Sequence, residues 1–431
     1  MKKINVGLIG LGTVGNGVYR TIRDNGSLIS ERNNIQINLK KICDINTAIL
    51  KEKTEGLELT DKWKDIVEDP EIDIVVELIG GLEPAKSIIL AALRNGKNVV
   101  TANKKLLAED GGEIFKAADE TGLRIGFEAS VGGGIPCILA LRYGLAANRI
   151  KSVMGILNGT TNYILSMMED SGISFSRALK EAQEKGFAEA DPTFDIEGYD
   201  AGHKISILAM LAFGKKIDFK SIPMEGISKI NKIDIKYARE MGYVIKLLGI
   251  AKLVNDCVDV RVHLTMLPDK HPLSSVRLEN NAVMFDCDKT GPITLYGKGA
   301  GGDPTSSAIV SDILHISEIT ARGPVFRFSE NETKYLLPGE RISRYYLRIH
   351  TEDRPGILSR ISGVLGNFEI SISSVIQEEV HDGHVPLIIL THEAQEEAMF
   401  SALKEIKKFQ FVHGDVMLIR VEDTFNSGEQ K

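Results

Sequence analysis

The chain has 431 residues, of which 43% are hydrophobic and 26% are charged, and its formal net charge is −7. This is ordinary globular composition, and the length allows roughly two to four domains of about 100–200 residues each. The acidic balance argues against nucleic acid as a partner. The lack of an apolar run of about 18 residues argues against a membrane span.

The cysteines and the start of the chain bear on its compartment. The four cysteines, Cys43, Cys137, Cys257 and Cys287, lie far apart and form no Cys-x-x-Cys pair, so neither a zinc site nor a redox motif is indicated. We expect reduced, buried thiols and a cytoplasmic location. The basic residues at the start resemble the head of a signal peptide, but the apolar run after them is short and ends in glycines, which favours a first strand.

The N-terminal 130 residues alternate between strand and helix patterns. Strands are predicted at Ile4–Ile9, Ile37–Cys43, Ile72–Ile79, Val99–Thr101 and Leu123–Glu128. Helices are predicted from Val14 to a point before Gly26, from Pro84 to Arg94, and up to about Glu120. Residues 27–34 are interpreted as an insertion. Repeated βα units predict an α/β fold, a Rossmann-type doubly wound parallel sheet forming a nucleotide-binding domain of residues 1–130.

The middle of the chain has a different pattern. Strands are predicted at Ile150–Leu157, Val258–Met266, Ala282–Asp286 and Ile293–Tyr296, and helices at Asn162–Glu169, Phe175–Lys185, Tyr199–Phe213 and Asp303–Ile319. The mixture predicts an α+β substrate-binding and dimerisation domain over residues 131–322. Its closing helix, at 303–320, is expected to pack back near the cofactor.

The C-terminal part begins with a polar segment that contains Pro324, Pro338 and Gly339, which we interpret as a linker of residues 323–343. The pattern then predicts four strands, at Arg344–His350, Ile370–Glu378, Val385–Thr391 and Val416–Val421, and two helices, at Leu358–Gly366 and Gln395–Lys407. Their order, βαββαβ, predicts a ferredoxin-like domain at residues 344–424. Residues 425–431 are expected to be a disordered tail.

A glycine-rich loop follows the first predicted strand. Its sequence is Gly10-Leu11-Gly12-Thr13-Val14-Gly15, a G-x-G-x-x-G match between a strand and a helix. Gly10 permits a tight turn, Gly12 lets the backbone approach a pyrophosphate, and Gly15 lets the helix pack close to the strand. The alternative is a glycine-rich turn without a ligand, but the βα context on both sides favours a dinucleotide site.

The acidic residue expected to bind the adenosine ribose lies about 20 residues after such a loop. Asp44 is the candidate here, 29 residues beyond Gly15. A carboxylate at this place favours a free 2′-hydroxyl and therefore NAD, whereas the nearby Lys40, Lys41 and Lys51 can instead accept the 2′-phosphate of NADP. The choice between NAD and NADP stays open.

Two lysines are candidates for chemistry. Lys104 follows Thr101 just past a predicted strand, where open α/β sheets bind ligands, although a solvated loop lysine has the same pattern. Asp200 and Lys204 lie four residues apart on one predicted helix and share a face. A surface pair of this kind is a weak ion pair, but the residues from 205 to 213 are so apolar that the helix is expected to be buried. Burial lowers the pKa of a lysine and readies it for proton transfer, and a carboxylate partner opposes that shift.

With these residues identified, the chain resembles the homoserine dehydrogenase family of the type with a C-terminal ACT domain. The resemblance covers nearly the whole chain. Its most specific segment runs from Ala182 to Lys204 and includes Gly186-Phe187-Ala188-Glu189-Ala190-Asp191-Pro192, Asp195-Ile196, Gly198 and Asp200. Asn158-Gly159-Thr160-Thr161-Asn162 and Gly299-Ala300-Gly301-Gly302-x-Pro304-Thr305 also resemble family motifs.

The resemblance implies an NAD(P)H-dependent reduction of L-aspartate 4-semialdehyde to L-homoserine, a step of threonine, methionine and isoleucine biosynthesis. It implies that Lys204 donates the proton to the carbonyl oxygen and that Lys104 contacts cofactor and substrate. Glu189 and Asp200 are implied to bind the amino group and hydroxyl of the substrate. The implied cofactor-lining residues are Thr13, Val14, Gly186 and Gly302, beside Gly10, Gly12, Gly15, Asp44, Thr101 and Lys104.

The family also holds a monovalent cation, usually sodium. The positions that match its ligands are Glu128, Val131, Gly133 and Ile135, largely through backbone oxygens. Glycine lets carbonyls turn inward, although from the residues alone the run of three glycines at 132–134 is a turn. The resemblance further implies a homodimer or homotetramer.

The segment Asp353-Arg354-Pro355-Gly356-Ile357-Leu358 resembles the effector loop of ACT domains, and threonine is the common effector in this family. A purely structural dimerisation module is the alternative. The alternative functions are three: a non-catalytic sensor, which would lack Lys204, Asp200 or Glu189; an aspartate dehydrogenase, against which the 182–204 segment argues; and an aspartate semialdehyde dehydrogenase, which needs a reactive cysteine. Cys137 lies in an apolar stretch with a helical pattern, Ile135–Leu145, and is expected to be core.

Overall fold

The structure, a computed structural model, describes residues 1–46, 57–319, 332–377 and 384–422. Contacts divide the chain into two compact units. The first contains residues 1–157, 202–222 and 280–333, and the second contains residues 158–201, 223–279 and 334–431. The predicted tail and residues 323–331 of the predicted linker lie outside the described residues.

The strands are β1 Lys2–Ile9, β2 Ile35–Cys43, β3 Glu58–Thr60, β4 Ile74–Glu77, β5 Asn98–Thr101, β6 Ile125–Gly126, β7 Ile150–Ile156, β8 Tyr243–Val254, β9 Cys257–Pro268, β10 Asn280–Cys287, β11 Gly291–Lys298, β12 Ile342–Glu352, β13 Ile372–Gln377, β14 His384–Thr391, β15 Ala394–Gln395 and β16 Val412–Val421. The α-helices are Thr13–Asn33, Lys64–Val67, Ala85–Arg94, Lys104–Thr121, Cys137–Leu139, Gly159–Ser171, Phe175–Glu184, Thr193–Ile196, Tyr199–Phe213, Lys232–Glu240, Gly302–Glu318, Ile357–Asn367 and Glu396–Ile406.

The first unit is built on a six-stranded sheet in the order β3-β2-β1-β4-β5-β6, and every neighbouring pair is parallel. The order reverses direction after β1, so the sheet is doubly wound, as predicted. The central strands are apolar on both faces because helices cover both sides of the sheet. The helix Gly302–Glu318 contributes Ile309 and Ile313 to the same core. A second, antiparallel sheet in this unit has the order β11-β10-β7.

The second unit contains a sheet with the order β8-β9-β16-β12-β14-β13. Its last four strands and the helices Ile357–Asn367 and Glu396–Ile406 follow the chain order βαββαβ, which confirms the predicted ferredoxin-like fold. Both helices bury their apolar faces against one side of the sheet, in a core that includes Leu347, Ile361 and Met399.

Several predicted elements differ from the structure. The first helix does not stop before Gly26 but continues to Asn33, so residues 27–33 are helix rather than an insertion. A glycine inside a helix costs about 0.5–1 kcal/mol relative to alanine, which a helix of 21 residues tolerates. The helix ends where Asn34 adopts a left-handed conformation, with φ 54°, and its N–H bonds to the Ser30 carbonyl.

Two further predictions were wrong in extent, and six elements of the described residues were missed. The strand expected at 123–128 is only Ile125–Gly126, because a 3₁₀ turn begins at Glu128. The stretch 135–145 is a short helix followed by a π-helical turn. The missed elements are β3, β8, β15 and the helices Lys64–Val67, Thr193–Ile196 and Lys232–Glu240. Strand β8 was not predicted because its nearly continuous apolar run lacks the alternation of apolar and polar residues that indicates a half-buried strand.

Candidate active site

The glycine loop has the backbone geometry that the sequence predicts. Gly10 has φ +98°, a conformation open to glycine. A Cβ on Gly15 would lie 2.0 Å from the Gly10 carbonyl oxygen, so the helix can start close to the strand only with glycine there. Among the described residues other than its chain neighbours, no atom lies within 4 Å of a Cβ built on Gly12. The loop therefore leads into the helix Thr13–Asn33 with open space above it, a geometry that fits a pyrophosphate at a helix N-terminus.

Asp44 follows β2 and faces the glycine loop. One of its carboxylate oxygens accepts a hydrogen bond from the Leu11 N–H at 2.7 Å, and the other accepts from the Asn46 N–H at 2.9 Å. The carboxylate thus orients the loop, and each oxygen keeps a second lone pair for a ribose hydroxyl. Lys51 lies outside the described residues, whereas Lys40 and Lys41 are occupied by Asp69.

Glu77, at the end of β4, is a buried residue that the sequence prediction missed. Its carboxylate accepts from the Thr101 hydroxyl at 2.7 Å and from the Ile79 and Gly80 N–H groups at 2.8 and 3.2 Å. It ties together the carboxyl ends of β4 and β5, next to the glycine loop strand. The available signal was one carboxylate at the end of a strand that is otherwise Ile-Val-Val.

Thr101 is the last residue of β5, and Lys104 begins the next helix after a loop of two residues. The Asn103 side chain caps the helix Lys104–Thr121 by accepting from the Leu106 N–H at 3.1 Å, and its amide donates to the Gly81 carbonyl at 2.7 Å. Lys104 is therefore the first residue of a firmly capped helix at the carboxyl edge of the parallel sheet, where a ligand is expected.

Gly302 begins the helix Gly302–Glu318, which packs on the helix that follows the glycine loop. A Cβ on Gly302 would lie 3.2 Å from the Thr13 carbonyl oxygen, and the Ser306 and Thr21 hydroxyls are 3.0 Å apart. The structure thus brings Gly302 next to Thr13, the first residue of the helix that follows the glycine loop.

Lys204 is buried, as its helix predicted. Its ammonium group donates to the Leu157 carbonyl oxygen at 2.6 Å, at the end of β7. The neighbouring His203 lies over the Phe219 ring, with centroids 4.1 Å apart, and its Nε2 is 3.0 Å from a Glu109 carboxylate oxygen. The lysine side chain is therefore shielded from bulk solvent, and its ammonium group is positioned by a backbone carbonyl oxygen of the first unit.

The predicted cation ligands lie in one loop of the first unit. The Glu128 carboxylate accepts from the Ile138 and Leu139 N–H groups at 2.9 and 2.7 Å. Burial raises the pKa of Glu128 to about 7, against the lowering effect of these N–H groups. Asp312 is also buried, and it accepts from the Glu128 N–H at 2.8 Å. Burial likewise raises the pKa of Asp312 above its ordinary value.

Val131 and Ile135 are buried in the same loop, and Gly133 has φ +56°. A Cβ on Gly133 would lie 2.6 Å from the Gly299 carbonyl carbon, which requires glycine there. Cys137, the next buried residue, is core as predicted, and burial raises the pKa of its thiol well above the ordinary value. In the described ranges, no cluster of three or more His, Cys, Asp or Glu side chains could hold a metal ion.

In the second unit, the Asn158 side chain joins two carboxylates. Its amide donates to an Asp195 oxygen at 2.8 Å and to an Asp200 oxygen at 2.9 Å. Its carbonyl oxygen accepts from the Thr161 N–H at 2.8 Å, which caps the helix Gly159–Ser171. Both N–H donors and the carbonyl oxygen of the side chain are used in one largely buried place, so the amide sets the separation of the two carboxylates.

Thr160 extends this cluster. Its hydroxyl lies 2.9 Å from the other Asp195 oxygen and 2.6 Å from the Phe187 carbonyl oxygen. Phe187 follows Gly186, which has φ +76° and ends the preceding helix region, and Glu189 is exposed two residues later. The structure therefore links the Gly186–Glu189 segment to Asp200 through Thr160 and Asp195. The sequence prediction named the Asn158–Asn162 motif without assigning the bridging role to Asn158.

Three ranges of the chain match known families. Residues 10–128 match the homoserine dehydrogenase NAD-binding domain, residues 136–314 match the homoserine dehydrogenase family, and residues 345–409 match the ACT domain. The described helices include none with the length and apolar character that a membrane crossing requires.

Known relatives extend over the whole chain. Homoserine dehydrogenase of Neisseria gonorrhoeae is 44% identical over 431 residues, which cover 98% of this chain and 99% of the relative. The crystal structure of a homoserine dehydrogenase from Thiobacillus denitrificans has a TM-score of 0.92 and 45% identity, and covers 98% of this chain and 99% of that one. A hyperthermophilic archaeal homoserine dehydrogenase in complex with NADPH has a TM-score of 0.61 and 26% identity, and covers 73% of this chain and 98% of that one.

Proposed function

Because this chain belongs to the homoserine dehydrogenase family of NAD(P)-dependent oxidoreductases, we propose that it reduces L-aspartate 4-semialdehyde to L-homoserine in threonine, methionine and isoleucine biosynthesis. The observation that carries the proposal is the buried Lys204 ammonium group, which donates a hydrogen bond to the Leu157 carbonyl oxygen. Lys204 lies one turn after Asp200 on the helix Tyr199–Phe213. The hyperthermophilic archaeal relative is in complex with NADPH, which supports a nicotinamide dinucleotide as the cofactor of this chain. NAD and NADP remain alternatives for this chain.

The cofactor, when bound, supplies a hydride to the aldehyde carbon. The protein's part is to donate a proton to the oxygen that gains charge. We assign this proton to the Lys204 ammonium, which is screened from bulk water and therefore interacts strongly with developing negative charge. No covalent nucleophile is needed, and the raised pKa of the Cys137 thiol argues against a cysteine mechanism.

The substrate is proposed to bind by its amino group and hydroxyl to Glu189 and Asp200. Asn158 and Thr160 support this assignment because they fix the carboxylates of Asp195 and Asp200 in a buried cluster. A carboxylate held in this way is prepared to accept hydrogen bonds without first reorganising.

Cofactor contacts are proposed for the glycine loop, Thr101, Lys104, Gly186 and Gly302. The open space above Gly12 and the approach of the Asp44 carboxylate to the Leu11 N–H support the first part of this set. The capped start of the Lys104–Thr121 helix supports Lys104.

A monovalent cation, sodium by resemblance, is proposed at the loop of Glu128, Val131, Gly133 and Ile135. The fit rests on two buried carboxyl groups, those of Glu128 and Asp312, beside a glycine-rich turn with positive φ. Its positive charge would offset the burial of these carboxyl groups, since charge is costly to bury uncompensated. A homodimer or homotetramer in the cytoplasm completes the proposal.

Substitution of Lys204 by alanine tests the assignment. We expect turnover to fall by about 10²–10⁴-fold, which is the usual contribution of a general acid, while the dissociation constant of the cofactor stays within about threefold. Homoserine-dependent reduction of NAD or NADP followed by absorbance measures the first quantity, and cofactor fluorescence measures the second. Lys151→Ala, which removes an exposed lysine on β7, is the matched control. Turnover within a few-fold of the parent would show that Lys204 is not the proton donor.

Threonine is the proposed effector of the ACT domain, at the turn of residues 353–358. Gly356 has φ +88° and begins the helix Ile357–Asn367. The Gln377 amide lies 3.5 Å from an Asp353 carboxylate oxygen. A threonine titration should lower activity and raise the melting temperature, because a ligand that binds the native state stabilises it. If neither quantity changes across the titration, the domain has a structural role instead.

A further inference from the structure

A chain of buried ion pairs runs through the second unit. Its eight charged side chains alternate in sign and are, in order, Glu225, Arg420, Glu396, Arg341, Asp259, Arg261, Glu422 and Lys252. Four acids and four bases balance in charge. The second to sixth members are buried. Burial of so many charges is tolerated because each is paired and hydrogen-bonded.

One end of the chain is a two-pronged contact. The Arg420 guanidinium donates to both oxygens of Glu225, at 2.9 and 3.1 Å, and its Nε donates to a Glu396 oxygen at 2.6 Å. Arg420 lies on β16 and Glu396 in the first turn of the helix Glu396–Ile406, so both belong to the ferredoxin-like domain. Glu225 does not; its side chain is 48% exposed and stands in a loop after residue 222. The ion pair therefore connects this loop to the ferredoxin-like domain.

The loop that carries Glu225 contacts residues 195–200, the substrate segment, which begins at Asp195 and ends at Asp200. The Glu225 N–H bonds to the Val262 carbonyl of β9 at 2.8 Å, and the Ile227 N–H bonds to the Ile196 carbonyl at 2.8 Å. A Cβ on Gly226 would lie 2.3 Å from the same Ile196 oxygen, so the two backbones are in closest contact there. A shift of the loop must therefore move Ile196.

Ile196 directly follows Asp195, whose carboxylate is bound by Asn158, and it precedes Asp200 by four residues. We propose that Arg420 and Glu225 form a positioning pair for Asp195 and for Asp200, the latter of which is proposed to bind the substrate. The pair holds the loop of residues 223–227 against Ile196 and so fixes Asp195 and Asp200 in register with Asn158. The ferredoxin-like domain thereby takes part in substrate binding, and movement of β16 is transmitted to the substrate segment. This inference rests on the proposed function, because it takes Asp200 as a residue that binds homoserine.

The test uses the full-length enzyme and substitutes the exposed member of the pair. Glu225→Gln keeps the size of the side chain but removes the negative charge that the Arg420 guanidinium binds. We expect the KM for homoserine to rise about tenfold, since displacements of about 1 Å in a binding site cost up to about a hundredfold. The KM for the cofactor should stay within about twofold. Arg420→Lys keeps the charge but not the fork, and should give an intermediate KM.

Glu184→Gln is the matched control, because it removes the same charge from an exposed helix pair in the same unit; no change in either KM is expected. Hydrogen exchange gives a second readout that does not need activity. The amides of residues 224–230, and that of Ile227 above all, should exchange faster in Glu225→Gln than in the parent.

Each result decides the inference. A raised homoserine KM together with faster exchange supports it. An unchanged homoserine KM in Glu225→Gln, with or without faster exchange, overturns it, as does unchanged exchange. A parent without homoserine-dependent activity overturns the proposed function, and the exchange comparison then still shows whether the pair holds the loop.

Discussion

The bridge between Asn158 and two carboxylates gives a sharp prediction for Asn158→Asp. The change is isosteric, but it replaces an amide that donates two hydrogen bonds by a carboxylate that accepts only. The new carboxylate would face Asp195 and Asp200 at the present distances of 2.8 and 2.9 Å. Three negative charges would then meet in a buried cluster.

The size of the effect follows from these distances. Two unit charges about 4 Å apart repel by about 4 kcal/mol at an effective dielectric constant of about 20, so two such contacts cost up to about 8 kcal/mol. Protonation of one carboxyl group limits the penalty. Binding a proton at pH 7 to a group with an ordinary pKa near 4 costs about 4 kcal/mol, at about 1.36 kcal/mol per pH unit. That energy corresponds to roughly a thousandfold in rate.

Protonation also sets the sign of the pH dependence. The shared carboxyl pKa is raised in the folded variant, so the penalty is small at acid pH and grows as the pH rises. We expect the ratio of parent to variant kcat/KM for homoserine to be about a thousandfold at pH 7 and about a hundredfold at pH 6. The difference in melting temperature should widen over the same range.

The assay is homoserine-dependent cofactor reduction from pH 6 to 8.5, together with thermal unfolding at each pH. Asn95→Asp is the control, because it makes the same substitution at an exposed helix end, and it should change neither ratio by more than about twofold. If Asn158→Asp keeps the parent's KM for homoserine and its melting temperature at pH 8, the bridging role of the amide is refuted. A constant loss from pH 6 to 8.5 would refute the electrostatic reason for it.

Two further predictions concern other parts of the molecule. Gly15→Ala places a Cβ 2.0 Å from the Gly10 carbonyl oxygen, so the KM for the cofactor should rise about tenfold or more while the KM for homoserine changes little. Gly112→Ala, on an open helix face, should instead raise the melting temperature slightly, because alanine favours a helix by about 1 kcal/mol; an equal cofactor effect in both variants would contradict the steric reasoning. Burial lowers the pKa of the Lys246 ammonium to about 8, so folding costs it roughly 3 kcal/mol below that pH, and this cost disappears as the pH rises from about 8 to 10.5. The stability of the parent relative to Lys246→Met, measured by denaturant unfolding, should therefore increase over that interval, and a flat difference would show that the lysine is not desolvated.

The sequence was most informative where a short pattern has one physical meaning. The strand, glycine loop and helix at the start were predicted because turn, close approach and helix packing each require glycine at a fixed position. The buried helix Tyr199–Phe213 was predicted to the residue, since its apolar residues leave no polar face. The ferredoxin-like order βαββαβ followed in the same way from alternating short periodic segments.

Prediction was weaker where the ends of elements depend on tertiary contacts. The helix after the glycine loop continues beyond Gly26 because its propensity penalty is small and its neighbours compensate for it. Strand β8 was missed because a long apolar run with lysines has neither helical nor strand periodicity, and only pairing with β9 decides it. Lys246, within that strand, gives no local sign that it donates to Asn162 and to the Val276 carbonyl.

The residues that complete the candidate site were decided by the tertiary structure alone. The sequence determined that Asp200 and Lys204 share a helix, because their spacing fixes a face, but Asn158 meets Asp200 across 42 residues of chain. Arg420 meets Glu225 across 195 residues. Neither contact leaves a local pattern, since side-chain pairing between distant segments depends on how strands and helices pack, and packing is set by the whole chain at once.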